Sequence, residues 1–319
     1  MKRILIIQTA FLGDVILATP VVSELKRLFP ESHIDFLLKK GNESLLANSP
    51  HINHVYVLDK STGKWKAIRA LIKQFRKENY DLVINLHRFG SSGLLAGRSG
   101  GKHRYGFKKN PFSFLYTKKF EHTIGDGTHE VERNLLLISE FGAVEKVRPS
   151  LFPSEFDQEV VGKYNAEEYF CIAPSSVWFT KQLPAQKWVE LIQSIPNDKI
   201  VYLLGAPNDI VMCDEIIDVV QRENVINLAG KLSLLQSAEL MRNAARNYVN
   251  DSGPLHLASA MNAKVTAFFC STIPDFGFGP LSDDSKIKQV KNLDCRPCGL
   301  HGHKECPKGH FLCSEIIID

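Results

Sequence analysis

The chain has 319 residues, 44% of them hydrophobic and 23% charged, a composition that excludes a disordered chain, a collagen-like repeat and a disulfide-stapled miniprotein. At roughly 150 residues per domain, its length suggests two domains. The net charge of +4 conceals a separation: residues 60–119 hold fifteen Lys or Arg against only Glu78 and Asp81, so the remainder is net acidic and one part of the chain is suited to an anionic partner.

The chain opens with Met1-Lys2-Arg3, but the apolar run behind it stops at Gln8 and no small-residue cleavage site follows. No signal peptide is therefore expected. No stretch approaches the roughly 18 to 20 apolar residues that span a bilayer. Seven cysteines, an odd number, fit a reducing compartment, and the expected location is the cytoplasm.

Short apolar runs then alternate with amphipathic stretches, twice over, as parallel sheets with crossover helices require. In the first half, strands are expected at residues 3–8, 33–38, 54–58 and 82–86, and helices at 15–29, 43–47, 64–78 and 129–141. A polar, proline-bearing stretch from Arg148 to Glu155 marks the border between domains of 1–153 and 154–319. Strands at 169–173, 200–204, 225–228, 247–250 and 265–269 follow, with helices at 184–195, 207–221, 233–242 and 254–261. Pro184, Pro207 and Pro254 each suit a first helical turn. The expected fold class is α/β: two Rossmann-like, doubly wound domains facing across a cleft, with ligands at the C-terminal edges of the sheets.

The first βα turn, Gln8-Thr9-Ala10-Phe11-Leu12-Gly13-Asp14, holds one glycine and no G-x-G-x-x-G fingerprint, which disfavours a nicotinamide enzyme. Asp14 is either a helix N-cap or a general base at the ligand-facing edge. In the second half, Ala173-Pro174-Ser175-Ser176 follows a buried strand and Lys181 precedes the next helix, supplying hydroxyls and a point charge for a phosphate or forming an ordinary turn. Asn250-Asp251-Ser252-Gly253-Pro254-Leu255-His256 ends a strand in a polar turn and opens a helix. Its glycine permits close approach, and the helix start favours an anion.

Together these motifs resemble glycosyltransferase family 9, the bacterial heptosyltransferases of lipopolysaccharide core synthesis. The resemblance rests on Phe11-Leu12-Gly13-Asp14 with Pro20, on Asp81 to Leu86 with Ser91-Ser92, and on Arg104-Tyr105-Gly106-Phe107. His129-Glu130-Val131-Glu132-Arg133-Asn134, the run from Asn250 to Ala258 and the cysteine-rich end complete it. It implies a GT-B fold and inverting transfer of heptose, or a related sugar, from an ADP-sugar to the Kdo or heptose of a lipopolysaccharide core acceptor. By this match Asp14 is the general base. Ser175, Ser176, Lys181, Asp251, Ser252, Gly253 and His256 bind the donor, and Lys181 stabilises the departing ADP in place of a metal. Leu183 departs from the tryptophan the family commonly has there, and Trp178 and Phe179 make the preceding loop unusually apolar. Adenine contacts are expected near Gly205-Ala206-Pro207 and Leu228-Ala229-Gly230-Lys231.

Gly13, Arg88, Arg98, Arg104 and Lys108 are expected to meet a lipid-linked anionic saccharide, since an arginine fork pairs a carboxylate or phosphate. Phe107, Phe112, Phe114, Leu115 and Tyr116 lie among these cations, either as core residues or as contacts with the inner-leaflet membrane surface. The enzyme is expected to be peripheral on the cytoplasmic face of that membrane, with no cofactor required. Cys295, Cys298, Cys306 and Cys313 form either a small structural zinc site or reduced thiols. Two other functions compete: a sugar-nucleotide epimerase of the same architecture, and a nucleic-acid-binding protein using residues 60–119. No nucleic acid is expected as a partner on the favoured reading.

Overall fold

Ile4 to Ile7 and Leu82 to Asn85 are runs without polar alternation, and every one of these residues is buried, as strands covered on both faces must be. They form the centre of a parallel sheet. The structure is a computed structural model that describes residues 1–61, 63–145, 147–165 and 167–318. The chain divides into two units, Met1–Phe152 and Pro153–Asp319.

The first unit contains, in order, β1 (Arg3–Ile7), α1 (Leu12–Ile16), α2 (Thr19–Leu28), β2 (His33–Lys39), β3 (His54–Leu58), α3 (Lys64–Glu78), β4 (Leu82–Asn85), α4 (Gly90–Arg98), β5 (His103–Phe107), β6 (Lys118–Phe120) and α5 (Glu130–Leu136). Its six strands are all parallel, in the order β3-β2-β1-β4-β5-β6. Ile68, Leu71 and Phe75 turn the apolar stripe of α3 onto this sheet.

The second unit repeats the plan with α6 (Glu155–Gly162), β7 (Tyr169–Ala173), α7 (Ala185–Ser194), β8 (Ile200–Leu203), α8 (Ile210–Val220), β9 (Val225–Asn227), α9 (Leu234–Asn243), β10 (Arg246–Asn250), α10 (Gly253–Ala260), β11 (Val265–Phe269) and β12 (Ser285–Gln289). The order β12-β11-β10-β7-β8-β9 is the same winding, so both units are doubly wound. Its core gathers around Trp188, which is fully buried and donates its indole N–H to the Leu183 carbonyl at 3.0 Å.

The helix expected over 15–29 is two helices. Pro20 has no N–H for the Ile16 carbonyl, which instead accepts the Thr19 hydroxyl at 2.8 Å, and the chain turns between α1 and α2. Residues 43–47 make only a 3₁₀ turn, Glu43–Leu46, and the helix expected over 129–141 stops at Leu136, with a 3₁₀ turn at Ser139–Phe141. Five elements went unread in the sequence: α4, α6, β5, β6 and β12. Glycines conceal α4, and they serve close packing: a Cβ on Gly93 would lie 1.9 Å from Asn110 Oδ1, and one on Gly97 2.6 Å from the Leu115 side chain. β6 and β12 are lysine-bearing edge strands, whose charges suppress further pairing.

Candidate active site

In a doubly wound sheet the crossovers reverse direction at the central strands, and the loops leaving their C-terminal ends diverge there. In the first unit those strands are β1 and β4. The β1 loop runs directly into α1, where Phe11 takes the N-cap position and Asp14 the third helical position; Asp14 Oδ2 accepts the Phe11 N–H at 3.1 Å. Asp14 thus supports the helix start without being its cap. It remains partly exposed. Burial first, then the charge of Glu130, raise its carboxyl to about 6, against the opposing effects of the Phe11 N–H and Arg88.

Glu130 is 3% exposed. Its Oε2 lies 3.1 Å from His122 Nε2 and accepts the Arg133 Nε–H at 2.8 Å. Desolvation works to raise this carboxyl, but His122 and Arg133 outweigh it and hold Glu130 below the usual range. The neighbour of Asp14 is therefore a fixed negative charge. Asn134 ties α5 to this place by donating to the Leu17 carbonyl at 3.2 Å.

Three cations complete the edge. Burial first, then Arg88, Lys60 and Lys39, push His87 down to about 4, so its ring is neutral at physiological pH, 2.9 Å from the Thr9 hydroxyl. Lys39 sits 4.2 Å over the Phe11 ring. Among the described residues, none of Lys39, Lys60 and Arg88 has a carboxylate within ion-pair distance. A carboxyl poised near neutrality beside unpaired cations can take a proton and hold an anion.

In the second unit the corresponding strands are β7 and β10. A 3₁₀ turn, Phe179–Lys181, in the β7 loop presents Lys181, whose Nζ lies 2.7 Å from Asp251 Oδ2 just after β10. The same oxygen accepts the Thr272 hydroxyl at 2.6 Å. Asn250 fixes the loops around this pair, accepting the Leu183 N–H at 2.9 Å and donating to the Pro174 carbonyl at 2.8 Å. Ser252 is the N-cap residue of α10, yet its side chain makes no capping bond. Gly253 opens the helix without a side chain, and His256 is buried in its first turns, its ring 6.4 Å from that of Phe278. Ser175 and Ser176 lie half-buried in the β7 loop. A cation beside a helix N-terminus suits a phosphate.

The residues beyond β12 hold this loop from behind. Thr180 donates its N–H to the His303 carbonyl at 3.1 Å and accepts the His303 N–H on its hydroxyl at 2.8 Å. Arg296 gives its guanidinium to the carbonyls of Phe269, Cys270, Val290 and Thr272. Of the two readings of the terminal cysteines, the structure gives no support to the zinc site: among the described residues no group of three or more His, Cys, Asp or Glu is set to hold a metal. Cys313 is drawn into the core with Ile316, whereas Cys295 is half-buried with its sulfur 3.9 Å from His310 Nε2.

Residues 68–310 match the model of glycosyltransferase family 9 (heptosyltransferase). The chain belongs to this family. It is 30% identical over 278 residues to lipopolysaccharide heptosyltransferase 3 of Escherichia coli (strain K12), covering 82% of this chain and 80% of that protein. Its fold matches that of the E. coli ADP-heptose lipopolysaccharide heptosyltransferase II, with a TM-score of 0.80 at 22% identity over 93% of this chain and 96% of the other. E. coli heptosyltransferase WaaC, solved with ADP, matches with a TM-score of 0.70 at 20% identity over 89% and 90% of the two chains. The two six-stranded parallel sheets are thus a GT-B-like heptosyltransferase fold.

In this heptosyltransferase-family glycosyltransferase, Gly13, Asp14 and Arg88 gather at one sheet edge of the first unit. Ser175, Ser176, Lys181, Asp251, Ser252, Gly253 and His256 gather at the equivalent edge of the second. Arg98 and Arg104 do not join Asp14, while Lys108 follows β5 at the C-terminal strand edge. Arg98 ends α4, which has carried the chain back to the start of the strands. Arg104 spends its guanidinium on the Gly101 and Leu115 carbonyls, and Lys108 pairs with Glu121. Sequence reasoning missed Lys39, Lys60, His87, His122 and Thr272 as parts of these edges, and it quoted Glu130 without a role. A polar or basic residue closing a strand's C-terminal end was the available signal. Among the described residues no helix is long and apolar enough to cross a membrane.

Proposed function

We propose that this enzyme transfers heptose, or a related sugar, from an ADP-sugar to a hydroxyl of a lipid-linked, anionic lipopolysaccharide core saccharide, with inversion and without a metal. The observation that carries this reading is Asp14, a carboxylate raised to about 6 at the sheet edge where such folds bind ligands. Asp14 takes the proton of the acceptor hydroxyl as the oxygen attacks the anomeric carbon, and the bond from that carbon to the donor's phosphate oxygen breaks. One in-line displacement inverts the centre and needs one base, with no covalent sugar intermediate.

The leaving diphosphate gains charge as it departs. Lys181 and the N-terminal N–H groups of α10 stabilise it, with Asp251, itself held by the Thr272 hydroxyl, keeping the ammonium in place. Lys39, Lys60 and Arg88 receive the carboxylates or phosphates of the acceptor. ADP as the nucleotide fits the family and the ADP found with WaaC.

Calorimetric titration with ADP, UDP, GDP and NAD in excess EDTA tests the donor, and transfer from ADP-heptose with the product anomer assigned by NMR tests the chemistry. Tight binding of ADP alone and an inverted product are expected. Preference for UDP or GDP, a retained anomer or a strict magnesium requirement would overturn the corresponding part.

A further inference from the structure

We propose that Phe89, Phe112 and Phe114, with Lys109 beside them, form a preassembled edge by which the first unit docks on an anionic phospholipid surface. Phe89 is 65% exposed and Phe114 68%, a large cost in water for residues that ordinarily pack inside. They stand on different loops, one after β4 and one after β5, yet the loops are stitched together. Buried Asn110 donates to the His87 and Phe89 carbonyls at 3.1 and 3.0 Å and accepts the Phe112 N–H at 2.9 Å. The Phe112 ring covers Gly90, where a Cβ would lie 3.3 Å away, and its centroid is 6.1 Å from that of Phe114. The aromatic edge is therefore fixed before any partner arrives.

The charge around it selects the partner. Residues 108–119 carry four lysines and no acid; Lys108 pairs with Glu121 and Lys118 with Glu140, whereas Lys109 is exposed with no carboxylate within ion-pair distance among the described residues. Arg88 precedes Phe89 directly. Aromatic side chains that sink into the headgroup boundary and cations that meet acidic headgroups are the two halves of peripheral membrane binding. The basic helix α3 has only the second half, since Ile68, Leu71 and Phe75 face the core and Trp65 is its sole large apolar side chain left exposed. Of the aromatics considered from sequence, Phe107 and Tyr116 are buried core residues, while Phe89 was not among them. The proposal deepens the reading of a lipid-linked acceptor, but the vesicle-binding part of its test requires neither donor nor acceptor.

Co-sedimentation of the full chain with vesicles of phosphatidylethanolamine and phosphatidylglycerol, against phosphatidylcholine alone, reads the docking. Binding is expected only with the anionic vesicles, falling about tenfold or more in the Phe89→Ser/Phe114→Ser double variant and about fivefold in Lys109→Glu. Trp65→Ser is expected to bind as the parent does, and thermal midpoints confirm that each variant is folded. Turnover on a lipid-free core oligosaccharide is expected to survive in the double variant, which separates this docking from the transferase reading. Equal binding to neutral vesicles, no binding by the parent, an equal loss in Trp65→Ser, or loss of turnover on the lipid-free acceptor would each overturn the proposal.

Discussion

Replacing Glu130 by Gln removes one buried charge and almost no volume, and its effect should appear at Asp14. The Asp14 carboxyl stands at about 6 against an ordinary 3.8. That shift is worth about 3 kcal/mol at 1.36 kcal/mol per unit. Burial is its largest cause and Glu130 the second, with Arg88 and the Phe11 N–H opposing both. A charge pair in a partly solvated setting contributes on the order of 1 kcal/mol, so loss of Glu130 should lower Asp14 by about half a unit to one unit. If Asp14 is the base, the acidic limb of kcat/KM for sugar transfer has its midpoint near 6 in the parent and about 5 to 5.5 in Glu130→Gln, and the plateau falls a fewfold because the base is weaker. The profile would be taken from pH 4.5 to 8, with melting curves at each pH to exclude unfolding. An unmoved limb in a folded variant would refute the coupling of α5 to the base. A parent profile flat between pH 5 and 7 would refute the base itself.

Asp14→Asn should cut transfer by about 10²- to 10⁴-fold yet raise the melting temperature. The folded-state pKa is the raised one, so the stability Asp14 contributes is full below about pH 4 and is lost as pH rises through 6. The Asn variant accordingly gains at most about 3 kcal/mol above pH 7, less what its residual solvent contact screens, and gains nothing at pH 4; scanning calorimetry at the two pH values checks both. Lys181→Met leaves Asp251, 5% exposed, with the Thr272 hydroxyl but no cation. ADP affinity by calorimetry should fall about 10- to 100-fold, together with a lower melting temperature. Arg296→Ala strips four carbonyls of their donor and should cost about 2–4 kcal/mol in urea unfolding.

The elements most legible in the sequence were those whose reason is local. Ile4 to Ile7 and the run from Tyr169 to Ala173 announce buried parallel strands by composition alone, and Pro254 marks the start of α10. α4 was hidden because Gly90, Gly93 and Gly97 lower helix propensity for the sake of contacts with Asn110 and Leu115 that no local window contains. Asp14 could be singled out from its turn. What tunes it could not, since Glu130 arrives with α5, which packs on α2 and is tied by the Asn134–Leu17 bond, contacts between residues far apart in sequence. The basic stretch was visible as charge, but charge counting does not say to which end of a strand a residue belongs. α4 carries Arg98 to the end away from Asp14, while β3 delivers the neighbouring Lys60 toward it.

The winding of the first sheet sets an order of events at the ribosome. Strand β1 is synthesised first but lies in the middle, between β2 and β4. Ile4 must wait for Leu82 before its second edge is covered, and such non-local pairings form slowly. All six strands have been synthesised once Phe120 is made, and none of their pairings draws on the second unit, so the sheet can close while synthesis continues. Helix α5 comes later and brings Glu130. Until it docks, the sheet is finished but Asp14 lacks the neighbouring charge that lifts it toward neutrality. Architecture precedes competence in this chain: a helix made after the sheet adds the charge that, second to burial, raises the proton affinity of the proposed base.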